Sequence, residues 1–281
     1  MKKHILEAFE KNYAIPQINI NGLIWIEGIL KAAQESASPV IIATTDKNIP
    51  FLGGYEFILK TIKNKVKTMN ITVPVVVHLD HGLTVEGCKE AVDAGYDSVM
   101  FDGSQLPIDE NIKLTKEVVD YAHKHNVYVE GEVGAVGGSE DGIVSKLKYA
   151  RVDDCVRLAK ESSIDSLAPA LGSVHGEYVG EPDLDFNKMK QINDILSIPL
   201  VLHGASGISD QDLDKAIKNG HAKINFNTEI NIAWNKDLRQ YLNNNPNDYS
   251  PQNILKSGIK TISTTVQSIM YKCSSINKVN I

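Results

Sequence analysis

Two rhythms of apolar residues alternate along this chain. One is the short unbroken run, as in Val40-Ile41-Ile42-Ala43 and Val75-Val76-Val77. The other is recurrence every three or four residues, as in Leu23, Ile26, Leu30, Ala33 and Ala37. Unbroken runs suit strands buried on both faces, and the 3.6-residue rhythm suits amphipathic helices. Strands are predicted at 13–20, 40–45, 74–78, 97–104, 127–133, 166–170, 199–202 and 222–228. Helices are predicted at 23–37, 55–68, 84–94, 110–125, 152–162, 186–196, 210–219, 230–241 and 251–273. Thr84 suits an N-cap and Gly95 a C-terminal stop. Pro16 is out of keeping with a central strand, since proline donates nothing to a ladder.

Two stretches fit neither rhythm. Residues 134–147 are rich in glycine and acid (Gly137-Gly138-Ser139-Glu140-Asp141-Gly142) and read as a long loop, either a lid or binding loop or a surface excursion. Residues 171–178 form a second long loop. Eight strand–helix alternations without repeats, linkers or low-complexity segments predict an α/β fold, a (β/α)8 TIM barrel with extra C-terminal helices. One domain over 1–281 is more economical than two, and a doubly wound sheet is the alternative.

Composition narrows the function classes. A net charge of −6, with both signs interspersed, gives no electrostatic case for nucleic acid or an anionic membrane. Glu7 and Glu10 interrupt the basic start, so no signal-peptide core forms. No apolar run approaches the roughly 20 residues that span a bilayer. Cys88, Cys155 and Cys273 form no CxxC pair and fit a reducing compartment. A cytoplasmic location is expected.

On the barrel reading, polar side chains collect at strand C-termini, where such barrels build their active sites: Asn19, Thr45, Asp80, His81, Asp102, Glu132, His175, His203, Asn225 and Asn227. His81, His175 and His203 are 94 and 28 residues apart, so no local zinc motif exists, yet each precedes a glycine at or after a strand end. Three histidines with an open fourth position make a catalytic zinc arrangement, which Asp102 and Glu132 would help to orient. Three unrelated loop histidines are the plainer alternative. His4, His123, His125 and His221 read as surface or helix-end residues, and His78 faces the same way as Asp80 without an assigned role. On a regular strand the adjacent Asp80 and His81 point to opposite faces. Gly204-Ala205-Ser206-Gly207 and Asn225-Phe226-Asn227-Thr228 follow the seventh and eighth strands, the usual phosphate-binding positions of this barrel. Walker A and dinucleotide fingerprints are absent.

Five segments then occur in one order: His78-Leu79-Asp80-His81-Gly82, Gly137 to Gly142, Gly172-Ser173-Val174-His175-Gly176, Leu202 to Gly207, and Lys223 to Glu229. Together they resemble the class II, metal-dependent ketose-bisphosphate aldolases over about Tyr13 to Ser275. The resemblance implies that His81, His175 and His203 bind one catalytic Zn²⁺. It implies that Asp80 exchanges a proton with the substrate's C4 hydroxyl and that Glu140 is the mobile-loop acid/base. Gly176, Gly204 and Ser206 would bind substrate phosphate and a nearby monovalent cation, Na⁺ or K⁺. Asn225, Asn227 and Thr228 match the substrate- and phosphate-binding segment, and Asn19 and Thr45 join them as strand-end residues. Ser139 stands where the family often has an acid. A homodimer or homotetramer is implied.

The implied reaction is zinc-dependent aldol cleavage of a sugar bisphosphate through a metal-stabilised enediolate. A lysine Schiff base is disfavoured, because only Lys223 lies at a strand end and its motif has another role. Fructose-1,6-bisphosphate is expected first. Tagatose-1,6-bisphosphate and 6-phospho-5-dehydro-2-deoxy-D-gluconate follow, although Asn21-Gly22-Leu23, Thr45-Asp46-Lys47 and Trp234 lean toward the last. A non-catalytic sugar-phosphate-binding or adhesin barrel, and a phosphosugar isomerase or epimerase, are competing readings.

Overall fold

The unbroken apolar runs become the staves of a closed barrel in the computed structural model, which describes residues 1–140, 143–178 and 180–280, with the side chains at 139, 140 and 143–145 outside that description. The strands in chain order are β1 (Ile15–Asn19), β2 (Val40–Thr45), β3 (Val75–Gly82), β4 (Ser98–Phe101), β5 (Tyr128–Val133), β6 (Gly137–Glu140), β7 (Ile143–Ser145), β8 (Ser166–Pro169), β9 (Val174–His175), β10 (Leu200–Leu202) and β11 (His221–Phe226). The barrel order is β1-β11-β10-β8-β5-β4-β3-β2, all parallel. First and last strands pair from Ile15↔Lys223 to Ile18↔Phe226, a closure that a doubly wound sheet lacks. Pro16 sits inside β1 all the same.

Helices wrap the outside: α1 (Lys2–Glu10), α2 (Leu23–Glu35), α3 (Tyr55–Thr68), α4 (Val85–Ala94), α5 (Ile108–Ala122), α6 (Val152–Ser162), α7 (Phe186–Leu196), α8 (Asp210–Lys218), α9 (Thr228–Asn244) and α10 (Pro251–Lys272). The Thr84 side chain accepts from the Gly87 N–H, and Gly95 ends α4 at φ 96°, so both predicted caps are in place. Helix α10 packs on α2 at Gly28, where a Cβ would lie 2.6 Å from Ile262 Cγ2. Among the described residues no helix is long and apolar enough to cross a membrane.

Three expectations need correction. Residues 134–147 do not form an open loop. Strands β6 and β7 pair antiparallel, and β6 also pairs with β9, so the glycine-rich stretch is stitched to the strand that carries His175. The third strand does not stop at His78 but runs to Gly82. His221 is not a surface residue: it is buried, with Nδ1 2.9 Å from the Ala216 carbonyl, and burial pushes it down to about 4. Helix α1 was also not foreseen. Its Ile5 and Ala8 join Ile15, Ile41, Val76, Tyr128 and Ala222 in an apolar plug at the barrel's N-terminal end. Alternation along the strands then places Gln17, His78, Glu130 and Lys223 above that plug, with Asn19, Asp80, Glu132 and Asn225 at the open end. The usual filling of a TIM barrel is branched and apolar; here the middle layer is polar.

Candidate active site

Asp80 and His81 are not on a regular strand. The pairing of β3 with β4 slips between Leu79 and Gly82, and His81 sits at φ 49°, in the left-handed region. A non-glycine residue held there costs about 1–3 kcal/mol and is tolerated where surrounding contacts fix it. His81 is fixed by Asp102, whose Oδ2 lies 2.8 Å from Nδ1. Asp102 is in turn held by the Ser104 N–H at 3.0 Å. The slip replaces the opposite-face geometry expected of neighbours on a strand. Both side chains reach the barrel mouth.

Asp80 is buried and accepts from two amides, Asn19 Nδ2 at 3.0 Å and Asn225 Nδ2 at 3.2 Å. Burial alone would raise its carboxyl, but the positive charge of His81, then of His203 and Lys223, outweighs burial and holds it well below the usual carboxylate range. It is therefore ionised at neutral pH. Asn225 Oδ1 is buried and accepts no hydrogen bond among the described residues, so the amide that holds Asp80 keeps an acceptor in reserve.

His81, His175 and His203 converge, with one ring nitrogen from each within 4.8 Å of the others. Ring centroids are 4.8 Å apart for His81 and His203, 5.3 Å for His81 and His175, and 6.0 Å for His175 and His203. A carboxylate only accepts, so Asp102 fixes the proton of His81 on Nδ1. Glu130 Oε1, 3.0 Å from His203 Nε2, likewise fixes that ring's proton on Nε2. The remaining nitrogens, His81 Nε2 and His203 Nδ1, face each other at 3.1 Å. Two lone pairs at that distance repel unless a cation lies between them. A proton on His81 is the smallest such cation: burial works against it, but Asp80, Asp102 and Glu132 together raise His81 well above its ordinary value. A divalent metal ion fits the same place. Imidazole bonds of about 2.0–2.1 Å in a tetrahedral site set nitrogens roughly 3.4 Å apart. The donor set thus suits a zinc-like ion.

Glu130 was missed at the sequence level, and it is the carboxylate that touches His203. It lies two residues before Glu132, so strand alternation puts both on one face; that spacing was the available signal. Glu132 comes no nearer than 3.9 Å to His81 Nδ1, and burial, then Asp102, pushes its carboxyl well above the ordinary value. The other oxygen of Glu130 lies 2.7 Å from Lys223 Nζ, which is 3.3 Å from His78 Nε2, and His78 Nδ1 is 2.8 Å from Ser98 Oγ. All four of these side chains are fully buried. Burial, then Lys223, lowers His78 to about 3; burial works against the Glu130 charge, but Lys223, His203 and His78 together bring Glu130 to about 2. His78 therefore serves a chain that ends on His203, and Lys223 is held in an ion pair below the site.

Two hollows meet at His175. A recess of about 10 Å³ is lined by Asn19, Gly176, Gly204, Ser206, Asn225, Asn227 and Thr228. Gly204 has φ 64°, and a Cβ there would come within 2.4 Å of the Val174 carbonyl. Ser206 Oγ accepts from the Glu229 N–H in the first turn of α9, at 3.3 Å. Asn227 Oδ1 accepts from Asn21 and Asn231, each within 3.0 Å. The Tyr178 hydroxyl, also unforeseen, ties the two histidine loops: it accepts from Val174 N–H at 3.0 Å and donates to the Gly204 carbonyl at 2.8 Å. On the other side a cavity of about 540 Å³ is lined by Thr45, Lys47, His81, Phe101, Asp102 and Glu132 among others. The structure therefore gathers all the expected site residues whose side chains it describes; the side chain of Glu140, with Asp141 and Gly142, lies outside the described residues.

The model of the family "Fructose-bisphosphate aldolase class-II" matches residues 1–278. The 6-phospho-5-dehydro-2-deoxy-D-gluconate aldolase of Bacillus subtilis is 51% identical over 278 residues, covering 99% of this chain and 96% of that protein. The fructose-bisphosphate aldolase of Geobacillus stearothermophilus is 46% identical over 279 residues, covering 99% and 97%. Among solved structures, the YdjI aldolase of Escherichia coli K12 superposes with a TM-score of 0.85 at 33% identity, covering 99% of this chain and 98% of that one. A closed parallel barrel, three converging histidines beside an ionised aspartate, and likeness along the whole chain lead to one conclusion: this chain belongs to the class II fructose-bisphosphate aldolases, a family of metal-dependent aldehyde-lyases.

Proposed function

We propose that the chain is a zinc-dependent aldolase that cleaves 6-phospho-5-dehydro-2-deoxy-D-gluconate between C3 and C4, releasing dihydroxyacetone phosphate and malonate semialdehyde. The observation that carries the reaction is the ionised Asp80 set between two amides beside the three histidines. The substrate is supported by relatives: the Bacillus subtilis protein named for it is 51% identical, against 46% for the Geobacillus stearothermophilus protein named for fructose-bisphosphate. This replaces the ranking that the motifs alone suggested, in which fructose-1,6-bisphosphate came first.

His81, His175 and His203 would hold the zinc, whose role when bound is Lewis-acid polarisation of the substrate ketone. Asp80 takes the proton of the C3 hydroxyl as the C3–C4 bond breaks, and C3 leaves as the aldehyde. Asn19 and Asn225 keep Asp80 aimed while it changes charge, and the Asn225 carbonyl oxygen is free to accept from a substrate hydroxyl. Glu140, by the resemblance, returns a proton to C4. The phosphate enters the recess beside Ser206 and the N-terminus of α9, where backbone N–H groups favour anions. As it stands the recess holds about one water. A phosphoryl group therefore requires the recess to widen.

Cleavage of each of the three candidate substrates, coupled to triose-phosphate reduction, tests the reading. A kcat/KM at least about tenfold higher for 6-phospho-5-dehydro-2-deoxy-D-gluconate is expected, lost on chelation and restored by zinc. Preference for fructose-1,6-bisphosphate, or activity that survives full chelation, would refute it.

A further inference from the structure

We infer that Lys47 reads the carboxylate at the far end of the substrate and so sets which aldehyde this aldolase accepts; the inference rests on the substrate proposed above. The substrate's charged ends lie on opposite sides of the bond that breaks. With the phosphate in the polar recess and the reacting carbons at Asp80 and the histidines, the other fragment extends into the 540 Å³ cavity. Most of that cavity wall is apolar, including Leu83, Val85, Phe101 and Leu106. Its volume far exceeds that of a three-carbon fragment, so shape alone selects little there. Charge is the remaining discriminator, and Lys47 is the one lysine or arginine among the described lining residues.

The loop that bears Lys47 is pinned on both sides of it. The Asp46 carboxylate accepts from the Leu83 N–H at 2.7 Å and from the Tyr55 hydroxyl. Asn48 donates to the Ile20 carbonyl at 2.8 Å and, through its backbone N–H, to Thr45 Oγ1 at 3.2 Å. Lys47 itself makes no ion pair among the described residues, although Asp102, Glu132 and Glu86 line the same cavity. Asp102 is spent on His81, and Glu86 is exposed at the start of α4. A pinned backbone, an uncommitted ammonium group and an apolar wall amount to a built subsite for a small carboxylate.

The aldol direction tests this with dihydroxyacetone phosphate and three acceptors: malonate semialdehyde, glyceraldehyde 3-phosphate and uncharged propanal. Lys47→Met should lower kcat/KM for malonate semialdehyde about 10- to 100-fold, mainly through KM, as expected for a charge-assisted hydrogen bond made equally in ground and transition states. Propanal should stay within about threefold, which also certifies that the variant folds, and Lys47→Arg should recover most of the loss. An equal loss on all acceptors, no loss on malonate semialdehyde, or a greater loss on glyceraldehyde 3-phosphate would overturn the inference. A wild-type enzyme that joins dihydroxyacetone phosphate to propanal but not to malonate semialdehyde overturns the substrate reading and this inference together. One that uses malonate semialdehyde without needing Lys47 overturns the inference alone.

Discussion

The two hollows on either side of His175 are built in different ways. The recess is narrow, and three of its walls are tied down: Gly204 by its φ and by Tyr178, Asn227 by two amides, Ser206 by α9. The cavity is far larger, mostly apolar, and offers one lysine or arginine among its described lining residues. A wall fixed by many partners can hardly change without harm to the reaction. A roomy wall with a single charged reader can. The half of the site that handles the phosphorylated fragment is thus the constrained half, and the half that faces the departing aldehyde is where members of one family can diverge in substrate.

The largest effect is expected at the border of the two. Asp80→Ala should cut kcat about 10²- to 10⁴-fold for every substrate while metal content, read by elemental analysis, is unchanged. A variant with normal turnover would break the comparison at its root. Next is Gly204→Ala, which drives a Cβ toward the Val174 carbonyl. KM for dihydroxyacetone phosphate should rise roughly 10- to 100-fold, with the ranking of aldehyde acceptors preserved; a changed ranking would mean that the hollows are not independent. Glu130→Gln replaces the acceptor of the His203 proton with an amide and should weaken metal affinity about 10-fold in a competition with a chelator.

The smallest effect on turnover is expected from His221, at the closed end of the barrel. His221→Gln should leave kcat near neutral pH unchanged but flatten the acid limb of stability. Burial holds His221 at about 4 in the folded chain, below its ordinary 6.5, so between these values the unfolded chain binds the extra proton. Stability is therefore complete above about pH 6.5 and drains as pH falls toward 4, by about 3 kcal/mol from this residue. His78, lowered from 6.5 to about 3, drains in the same direction over the same window and on to about 3, and Glu130, lowered from 4.5 to about 2, adds its loss between those values. Urea midpoints of the two proteins at about pH 7.5 and about pH 4.5 measure the difference; equal slopes would assign the acid sensitivity elsewhere.

What the sequence made legible was local. The runs at 40–45 and the rhythm at 55–68 and 152–162 became elements with the predicted bounds, because each pattern is complete within its own segment. The histidines could be placed at strand ends for the same reason. The ion pair of Glu130 with Lys223 spans 93 residues, and neither partner's neighbours betray it. The β6–β9 pairing was hidden because Gly137 to Glu140 carries no apolar alternation, and glycine runs look like loops whether or not they pair. His221 looked exposed because it follows the Asn219-Gly220 helix ending, whereas in the fold it opens β11 and is buried with Nδ1 on the Ala216 carbonyl.

Asp80 is aimed by one amide from β1 and one from β11, the first and last staves of the barrel. Those two strands are about as far apart in the chain as its barrel permits, and contacts of such long sequence separation close slowly. Correct aim of the base therefore arrives only when the ends of the barrel meet. During refolding, recovery of activity should trail the recovery of helical signal, and a chain halted before β11 would hold all three histidine-bearing segments yet have no catalyst.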